Sequence, residues 1–582
     1  MSYRIEVRNQ KKGTYLIIEE KYRDKEKKQP RTKHFKTLGY VHDLQKDFAD
    51  PIAHFKEVVA RMNIEDKQSK KFTLDVDLNE KLPDELHTRY NLGYAVIMKI
   101  YHELELDRFL NNKARHEKFE YNTNSIMKLL TITRILNPSS KKRSYEYRDM
   151  FFERFDFELH DVYRSLSYFS KIGTECQRFI SDQINAKFGR DTSLMYFDVT
   201  NFHFEIDEPD DFRKHGKEKN NRPDPIVQMA LAMDADGIPL YYKLFPGNTH
   251  DSKTFVPVFR DVCVRFSPGR VIAVADMGCT SSDNIFFLKG GDRDKRRNGY
   301  VFSFSIRKGT EKFKEYVLND ACYTDSDGKA LKDDFDFKIK SRIDVREIKV
   351  SMKSGAKKPM LIDEKQVVFW SKRYADKARS ERTEVIKKAL DVIANPKNYT
   401  KTTVRSSAAY IKDISFDKKT GEILEEPGKK LIYDEEKATE DAKYDGYYCI
   451  VTSELEMHDQ RIIEIYRGLS DIEENFKVSK SDLDIRPVNV SRKDRINAHV
   501  LTCFISLVIL RLIQKKTNCK FTPEQIITCL NNISCSLEHT NLYMFDYRSN
   551  ISNFIGDAFG IDFTKKRLRL SEIKNILASS KK

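Results

Sequence analysis

The sequence predicts an α/β protein with a mixed central sheet, a small basic β-sheet before it and helical segments on both sides. Three observations favour this fold class. Apolar runs of strand length alternate with helically spaced segments between residues 191 and 308, helical spacing continues on either side, and the first 40 residues alternate apolar and charged side chains. At ~150 residues per domain, 582 residues allow roughly three or four domains.

Positive charge is concentrated near the N-terminus. The chain has 104 Lys+Arg and 89 Asp+Glu, a net charge of +15, which favours a polyanionic partner. Residues 1–40 alone hold twelve basic and five acidic residues, an excess of 12 − 5 = +7. We therefore assign residues 1–80 to a basic, β-rich region that contacts DNA. A solvated lysine face is the alternative.

The composition argues against membrane and secreted proteins. The best apolar run, Leu501 to Ile513, is short and interrupted by Arg511, so we expect a buried helix and no membrane contact. The charged N-terminus lacks the apolar core of a secretory signal, which favours a cytoplasmic protein. Nine cysteines without a C-x-x-C pair are expected to be buried thiols rather than zinc ligands or disulfides.

Residues 84–190 are predicted to form a helical domain. Apolar residues recur three and four apart in YAVIMKIYHELELDRFL and NSIMKLLTITRIL, and Asn137-Pro138 ends the second run. We expect DNA binding or dimerisation from this domain.

The order of elements in residues 191–308 defines the predicted core. Three strands are followed by helix, strand, helix and strand, and right-handed crossovers would place the fourth strand beside the first. This is the order of a ribonuclease-H-like core. We expect a β-rich insertion domain over 309–440, the second part of the core with a long helix over 441–490, and a helical C-terminal domain over 491–582.

Three acids are candidate catalytic and metal-binding residues. Asp198 and Asp276 each follow apolar residues on a predicted strand, and Glu473 lies on the long helix. Burying a carboxylate is costly unless it is paired or binds a metal. Carboxylate oxygens suit Mg²⁺, and two such ions can assist phosphoryl displacement. Taken singly, each acid has a simpler explanation: a solvent-facing strand end, a helix cap, or a surface charge pair.

The long helix has two faces. Its apolar residues form one buried stripe: Ile462, Ile465, Leu469, Ile472 and Phe476. Tyr466, Glu473 and Lys480 recur every seven residues, which predicts a line beside that stripe, with Lys477 projecting from the same side.

These residues resemble the DDE transposases of bacterial insertion sequences, in the group with a Tyr-x2-Arg-x3-Glu-x6-Lys (YREK) signature. The matching text is YFDVTNF, VADMG and YRGLSDIEENFKVSK, and the flanking phrases FPGNTHDSKTF and KYDGYYCIVTSE are also similar. Tyr466, Glu473 and Lys480 fall at the signature positions. Glu474 is a rival acid, but the x6 spacing selects Glu473.

Two positions depart from the pattern. Leu469 occupies the place of the signature arginine, and Met277 stands where a basic residue often follows the second aspartate. Arg467 or Arg486 is expected to reach the phosphate instead.

The resemblance implies a ribonuclease-H-like catalytic core with flanking DNA-binding segments. It implies cleavage at mobile-element ends that carry terminal inverted repeats, then transfer of the freed 3′-hydroxyl into target DNA. Mg²⁺, replaceable by Mn²⁺, would be the cofactor, a homodimer the form in the DNA complex, and the nucleoid its place in the cytoplasm. The residues expected to contact DNA are Tyr466, Arg467, Lys477 and Lys480.

Two alternatives remain open at this level. The departures at Leu469 and Met277 are also compatible with a decayed transposase that acts as a sequence-specific DNA-binding protein. A ribonuclease-H-like nuclease that does not transpose would use the same acids.

Overall fold

The structure is a computed structural model. It describes residues 2–23, 29–68, 79, 81, 89–206, 208–216, 224–266, 269–290, 297–331, 334–352, 354–417, 420–424 and 430–581. The chain divides into two compact units, Met1–Leu86 and His87–Lys582.

The N-terminal unit is a three-stranded antiparallel sheet followed by helices. Its elements are β1 (Ser2–Gln10), β2 (Gly13–Arg23), β3 (Pro30–Tyr40), α1 (Val41–Leu44) and α2 (Pro51–Gln68). The central strand β2 buries Leu16, Ile17 and Ile18. Asn63 of α2 accepts from the backbone N–H of Tyr3 and donates to its carbonyl, which ties the helix to the edge of β1. Strands β1, β2 and β3 thus lie within the first 40 residues of the region that we expected to be β-rich, and helices follow.

The next part of the chain is helical, as its spacing predicts. Its elements are β4 (Arg89–Asn91), α3 (Tyr94–Glu103), α4 (Leu106–Ala114), α5 (Thr123–Leu136), α6 (Lys141–Glu146) and α7 (Leu159–Phe188). Asn122 caps α5 by accepting from the Ser125 N–H, and Pro138 follows its end. Helix α5 is buried along its length and belongs to the largest apolar core.

The central sheet begins with the predicted order of elements. These are β5 (Leu194–His203), β6 (Ile226–Met233), β7 (Pro239–Pro246), α8 (Asp251–Phe266), β8 (Ile272–Ala275), α9 (Ser282–Leu288) and β9 (Gly299–Ser303). Strands β5, β6 and β7 pair antiparallel, whereas β8 pairs parallel with both β5 and β9. The prediction that the fourth strand lies beside the first is confirmed. Strand order and sense fit a ribonuclease-H-like core.

Three further strands extend this sheet. The segment comprises α10 (Glu311–Leu318), β10 (Phe337–Ser351), β11 (Lys357–Ser371), α11 (Lys372–Ala394), α12 (Lys401–Val404), β12 (Ile411–Lys412), β13 (Ile432–Tyr433), α13 (Glu435–Ala442) and β14 (Tyr447–Thr452). The full order is β10-β11-β14-β9-β8-β5-β6-β7. The segment expected to be an insertion domain therefore supplies two strands to the main sheet. Helix α10 packs on the core of the main sheet, whereas α11, α12 and α13 surround a small core of their own that includes Ala389, Val392 and Tyr410.

The long helix of the prediction is interrupted. Helix α14 (Asp459–Arg467) ends at Gly468, and α15 (Leu469–Ser481) begins after it. The expectation of one continuous helix was wrong because Gly468 packs against β5, where a Cβ would lie 2.2 Å from the Tyr196 hydroxyl oxygen. The predicted apolar stripe is confirmed, since all five of its residues are buried.

The C-terminal part combines helices with a small sheet. Its elements are α16 (Lys493–Lys516), α17 (Pro523–Asn532), β15 (Ser534–His539), β16 (Leu542–Phe545), α18 (Asn550–Phe559), β17 (Arg567–Arg569) and α19 (Leu570–Ser579). Strands β15, β16 and β17 form a sheet with β4, which helical spacing alone did not predict.

Helix α16 is the central helix of the largest apolar core. Among the described residues it is the one helix long and apolar enough to span a membrane, yet 89% of its most apolar window is buried within the protein. It packs against α3, α5 and α7, as expected of a buried helix. The nine cysteines are free thiols, and all but Cys322 and Cys519 are buried.

Replacing Gly468 by alanine is expected to lower the free energy of unfolding by roughly 1–3 kcal/mol, because the new Cβ overlaps the buried ring of Tyr196. Gly269→Ala is the matched control, since nothing lies within 4 Å of a Cβ built there. Urea unfolding followed by circular dichroism measures both variants. Equal midpoints for the two would contradict this packing.

Candidate active site

The three predicted acids line one cavity. Asp198 of β5, Asp276 after β8 and Glu473 of α15 border a space of about 1080 Å³. The parallel register of β5 and β8 ends with Phe197 opposite Ala275, so the next residues along, Asp198 and Asp276, lie at the same level. Neighbouring strands are ~4.8 Å apart. The fold therefore brings together a strand, strand and helix set of carboxylates.

Asp276 is held by two hydrogen bonds. The Ser303 hydroxyl of β9 donates to its Oδ1 over 2.9 Å, and the Met277 N–H donates to the same oxygen over 2.6 Å. The second bond caps the short turn Met277–Cys279, so the capping explanation also holds. The carboxylate is nevertheless exposed to the cavity. Asp276 combines a fixed orientation with access to a ligand.

Asp198 and Glu473 reach the cavity from different elements. Asp198 is half-buried, and its Oδ1 accepts from the Val199 N–H over 2.7 Å. Glu473 is exposed on α15. The adjacent Glu474 instead pairs with Arg511 of α16 over 3.2 Å. The structure thus directs the rival acid away from the cavity and Glu473 into it.

Two tyrosine hydroxyls meet at the wall of the cavity. Those of Tyr466 in α14 and Tyr448 in β14 are 3.1 Å apart. Burial raises the pKa of both phenols, which keeps them protonated at neutral pH. Tyr466 can therefore donate a hydrogen bond to a ligand or orient its neighbour.

Cationic and aromatic side chains complete the lining. Arg467 was expected from the sequence, whereas Arg307, Arg373 and Lys377 were missed. The aromatic lining residues are Phe304, Phe337, Phe369, Tyr374, Tyr444, Tyr447, Tyr448 and Tyr466. Helix α11 follows β11 without a connecting loop, and this carries its first two turns onto the cavity. The cluster of basic residues at the start of α11 was a visible signal, but only the pairing of β11 with β14 shows where it lies.

The donor atoms at the cavity suit a hard cation. Among the described residues, no three His, Cys, Asp or Glu side chains are grouped closely enough to hold a metal ion. Mg²⁺ typically takes only one or two carboxylates and completes its shell with water and substrate phosphate. The level pair Asp198 and Asp276 fits that requirement without a preformed cage of three ligands.

Lys480 and Lys477 do not join the acids. Lys480 lines a second cavity of about 940 Å³, together with Arg486, and Lys477 is exposed outside both cavities. Tyr466 and Glu473 of the predicted line share the acid cavity, but Lys480 lies seven residues further along α15, about 10 Å, and lines the second cavity instead. Of the two candidate replacements for the signature arginine, Arg467 lies at the acids and Arg486 beside Lys480.

A buried polar cluster holds the segment before Arg486. Arg134 of α5 donates to the carbonyls of Leu483 and Asp484, and His499 of α16 bonds the Ile485 carbonyl through Nε2 over 3.0 Å. Burial lowers the pKa of His499, so its ring is neutral. Its Nε2 is then the donor, and Nδ1 accepts from Lys141 over 3.1 Å.

Comparisons with known proteins gave distant structural likenesses only. No protein-family model matches the chain, and no curated protein matches it. A piggyBac transposase synaptic complex with hairpin DNA is similar at 10% identity and a TM-score of 0.31, covering 84% of each chain. A Mos1 transposase paired-end complex with left transposon end is similar at 15% identity and a TM-score of 0.13, covering 43% of this chain and 69% of that one. At these scores the likenesses do not assign an activity.

The buried lysine predicts a pH effect on stability. Burial, and next the charge of Arg134, lower the pKa of Lys141 to about 7 from its usual 10.5. Between these values the unfolded chain retains a proton that the folded chain has lost. Stability should therefore rise with pH from about 7 to 10, by up to ~1.4 kcal/mol per unit. Lys141→Met removes this rise.

Urea unfolding at pH 7, 8 and 9 measures the difference in free energy of unfolding between the native chain and Lys141→Met. Lys142→Met is the control, because Lys142 is exposed on the same helical turn. A difference between the native chain and Lys141→Met that stays constant over this range would refute the assignment.

Proposed function

We propose that the chain is a DDE transposase that cleaves DNA at the ends of a mobile element and joins them to target DNA. One observation carries the proposal: Asp198, Asp276 and Glu473 line a single cavity in a sheet with ribonuclease-H strand order. The wider resemblance of the sequence to transposases of bacterial insertion sequences supports DNA cleavage and strand transfer as the reaction.

The acids are proposed to bind Mg²⁺, or Mn²⁺ in its place. Such an ion, when bound, neutralises charge on the reacting phosphate and lowers the pKa of an attacking oxygen. Asp198 and Asp276 are the first ligands in this proposal because they are level on adjacent strands. Glu473 faces them from α15. The hydrogen bond from Ser303 keeps Asp276 oriented while substrate enters.

The reaction consists of two displacements at phosphorus. In the first, a water oxygen forms a bond to phosphorus and gives up a proton to solvent, the P–O3′ bond breaks, and the leaving 3′-oxygen takes up a proton to become the 3′-hydroxyl. In the second, that 3′-oxygen loses its proton to solvent and forms a bond to a target phosphorus. The target P–O3′ bond breaks, and the displaced 3′-oxygen takes up a proton. In the second step one P–O3′ ester bond forms and another breaks.

The other lining residues are proposed to hold DNA. Arg373 and Arg467 can approach phosphate oxygens at the cavity. Arg307 and Lys377 also line it and pair with Asp441 and Glu381. Tyr466 donates from its neutral phenol. Exposed Lys477 adds a positive charge on α15.

The partners follow from the same proposal. Double-stranded DNA with terminal inverted repeats is the substrate, and target DNA is the acceptor. The basic N-terminal sheet contributes a further DNA contact. Two copies of the chain act together so that both ends are joined, and the nucleoid of a bacterial cytoplasm is where this DNA is found.

Removing any one acid should abolish cleavage. Asp198→Asn, Asp276→Asn and Glu473→Gln each remove a negative oxygen donor at the cavity, and we expect at least a ~100-fold loss of nicking with DNA binding retained. The measurement is nicking of a supercoiled plasmid carrying the element ends, with Mg²⁺, with Mn²⁺ and with a chelator.

Glu474→Gln is the matched control, because its carboxylate pairs with Arg511 outside the cavity. It should cut DNA at nearly the native rate. Cutting retained by Glu473→Gln but lost in Glu474→Gln would reverse the assignment of the third acid. A native chain that binds the ends without cutting them would point to a DNA-binding protein, and cutting without joining would point to a nuclease.

A further inference from the structure

The second cavity is a basic recess next to the acid cavity. Four basic residues line it, Arg213, Lys480, Arg486 and Arg495, against one carboxylate, the exposed Glu205. Arg213 is paired with Asp210 over 2.7 Å. In the described part of the chain, neither Arg486 nor Arg495 has a carboxylate within 4 Å. Arg486 and Arg495 therefore carry positive charge without a described carboxylate in direct contact, and the nearby Asp484 interacts with Arg486 at longer range.

The contacts of the two arginines leave donors available. Arg486 donates through Nη1 to His203 Nε2 over 2.7 Å, its one hydrogen bond to the described residues. Arg495 stacks on the ring of Tyr163 at 5.3 Å, and its buried Nε has no partner there. A guanidinium carries five N–H donors, so each can still bind an anion.

Helix α16 adds to the positive potential of the recess. The helix begins at Lys493, and Ser491 and Arg495 at this end line the cavity. The first N–H groups of a helix lack internal acceptors and favour anions. Asp494 in the same turn is paired with Arg492 over 2.9 Å and accepts from the Arg495 N–H over 3.0 Å. One of the first N–H groups is thus satisfied, and the arginines supply most of the positive charge of the recess.

The segment that carries Arg486 is hydrogen-bonded to helices of the main core. Arg134 and His499 hold the carbonyls of residues 483–485, directly before Arg486. Arg134 and His499 are buried, and they come from helices of the main core. A preformed site binds its ligand without the entropy cost of ordering a loop.

The recess lies within a half-turn of DNA from the acids. Strand β5 and helix α15 both run from the acid cavity to the recess. His203 lies five residues beyond Asp198, about 17 Å along a strand, and Lys480 lies seven residues beyond Glu473, about 10 Å along a helix. A half-turn of B-DNA rises about 17 Å along its axis, so both separations fall within it.

We propose that this recess binds a backbone phosphate of the DNA duplex within half a helical turn of the phosphate at the acids. Arg486 and Arg495 are its binding residues, beside Lys480. The proposal rests on the proposed function, because DNA is the polyanion that the acid cavity would process. A DNA strand that is held both at the acids and at the recess is fixed in register, which sets the position of the cut.

The test measures binding of a fluorescein-labelled 30-base-pair duplex by anisotropy from 50 to 200 mM NaCl. Each phosphate contact contributes about 0.9 to the slope of log affinity against log salt for B-DNA. Arg486→Gln and Arg495→Gln should each lower the slope by about that amount and weaken binding several-fold. Arg178→Gln is the matched control, since it lies on α7 about 22 Å from Tyr163.

Native slope and affinity in both variants would overturn the proposal, as would an equal loss in Arg178→Gln. Unchanged melting temperatures show that the variants fold. Because the readout is binding, it decides the question even if the native chain never cuts DNA, which would defeat the proposed function alone. For a DNA duplex whose cleavage site is known, a neutral methylphosphonate can replace one phosphate within half a turn of that site. It should weaken DNA binding by the native chain but not by the double variant Arg486→Gln/Arg495→Gln. Equal weakening of binding by both proteins would overturn the location.

Discussion

The parallel pairing of β5 with β8 is the constraint on which the site depends. It places two carboxylates on the same level of adjacent strands. A hydroxyl from β9 and a backbone N–H orient one of them, Asp276. The close approach of Gly468 to Tyr196 then sets α15 against the same strand. Sheet register and one helix contact thus define the position of all three acids.

Local patterns were sufficient to predict the elements that carry the acids. Apolar runs marked β5 and β8, handedness placed β8 beside β5, and helical spacing identified the buried stripe from Ile462 to Phe476. These features depend on neighbours in sequence or on a general rule of chain direction. The prediction of the acid set therefore needed no knowledge of distant contacts.

Features that depend on distant contacts were not predicted. The helix is interrupted at Gly468, which packs against Tyr196, a residue remote in the chain. The helical spacing of apolar residues continues across Gly468, so it did not predict the interruption. Arg373 and Lys377 reach the cavity only because β11 pairs with β14. Similarly, β4 joins β15 across more than 400 residues. In each case the sequence contained the residue type, but the pairing decided its role.

The attachment of α11 to β11 has a consequence for the evolution and engineering of the chain. Strand β11 pairs with β10 on one side and β14 on the other, so residues 309–440 cannot be deleted without removing strands of the main sheet. Their loss would remove β11 from one edge of the six-residue strand β14 and expose the backbone donors and acceptors of that edge, a template for aggregation. It would also remove one wall of the acid cavity. Length variation among related chains should therefore be confined to the outer parts of this segment, beyond the strands that the sheet requires.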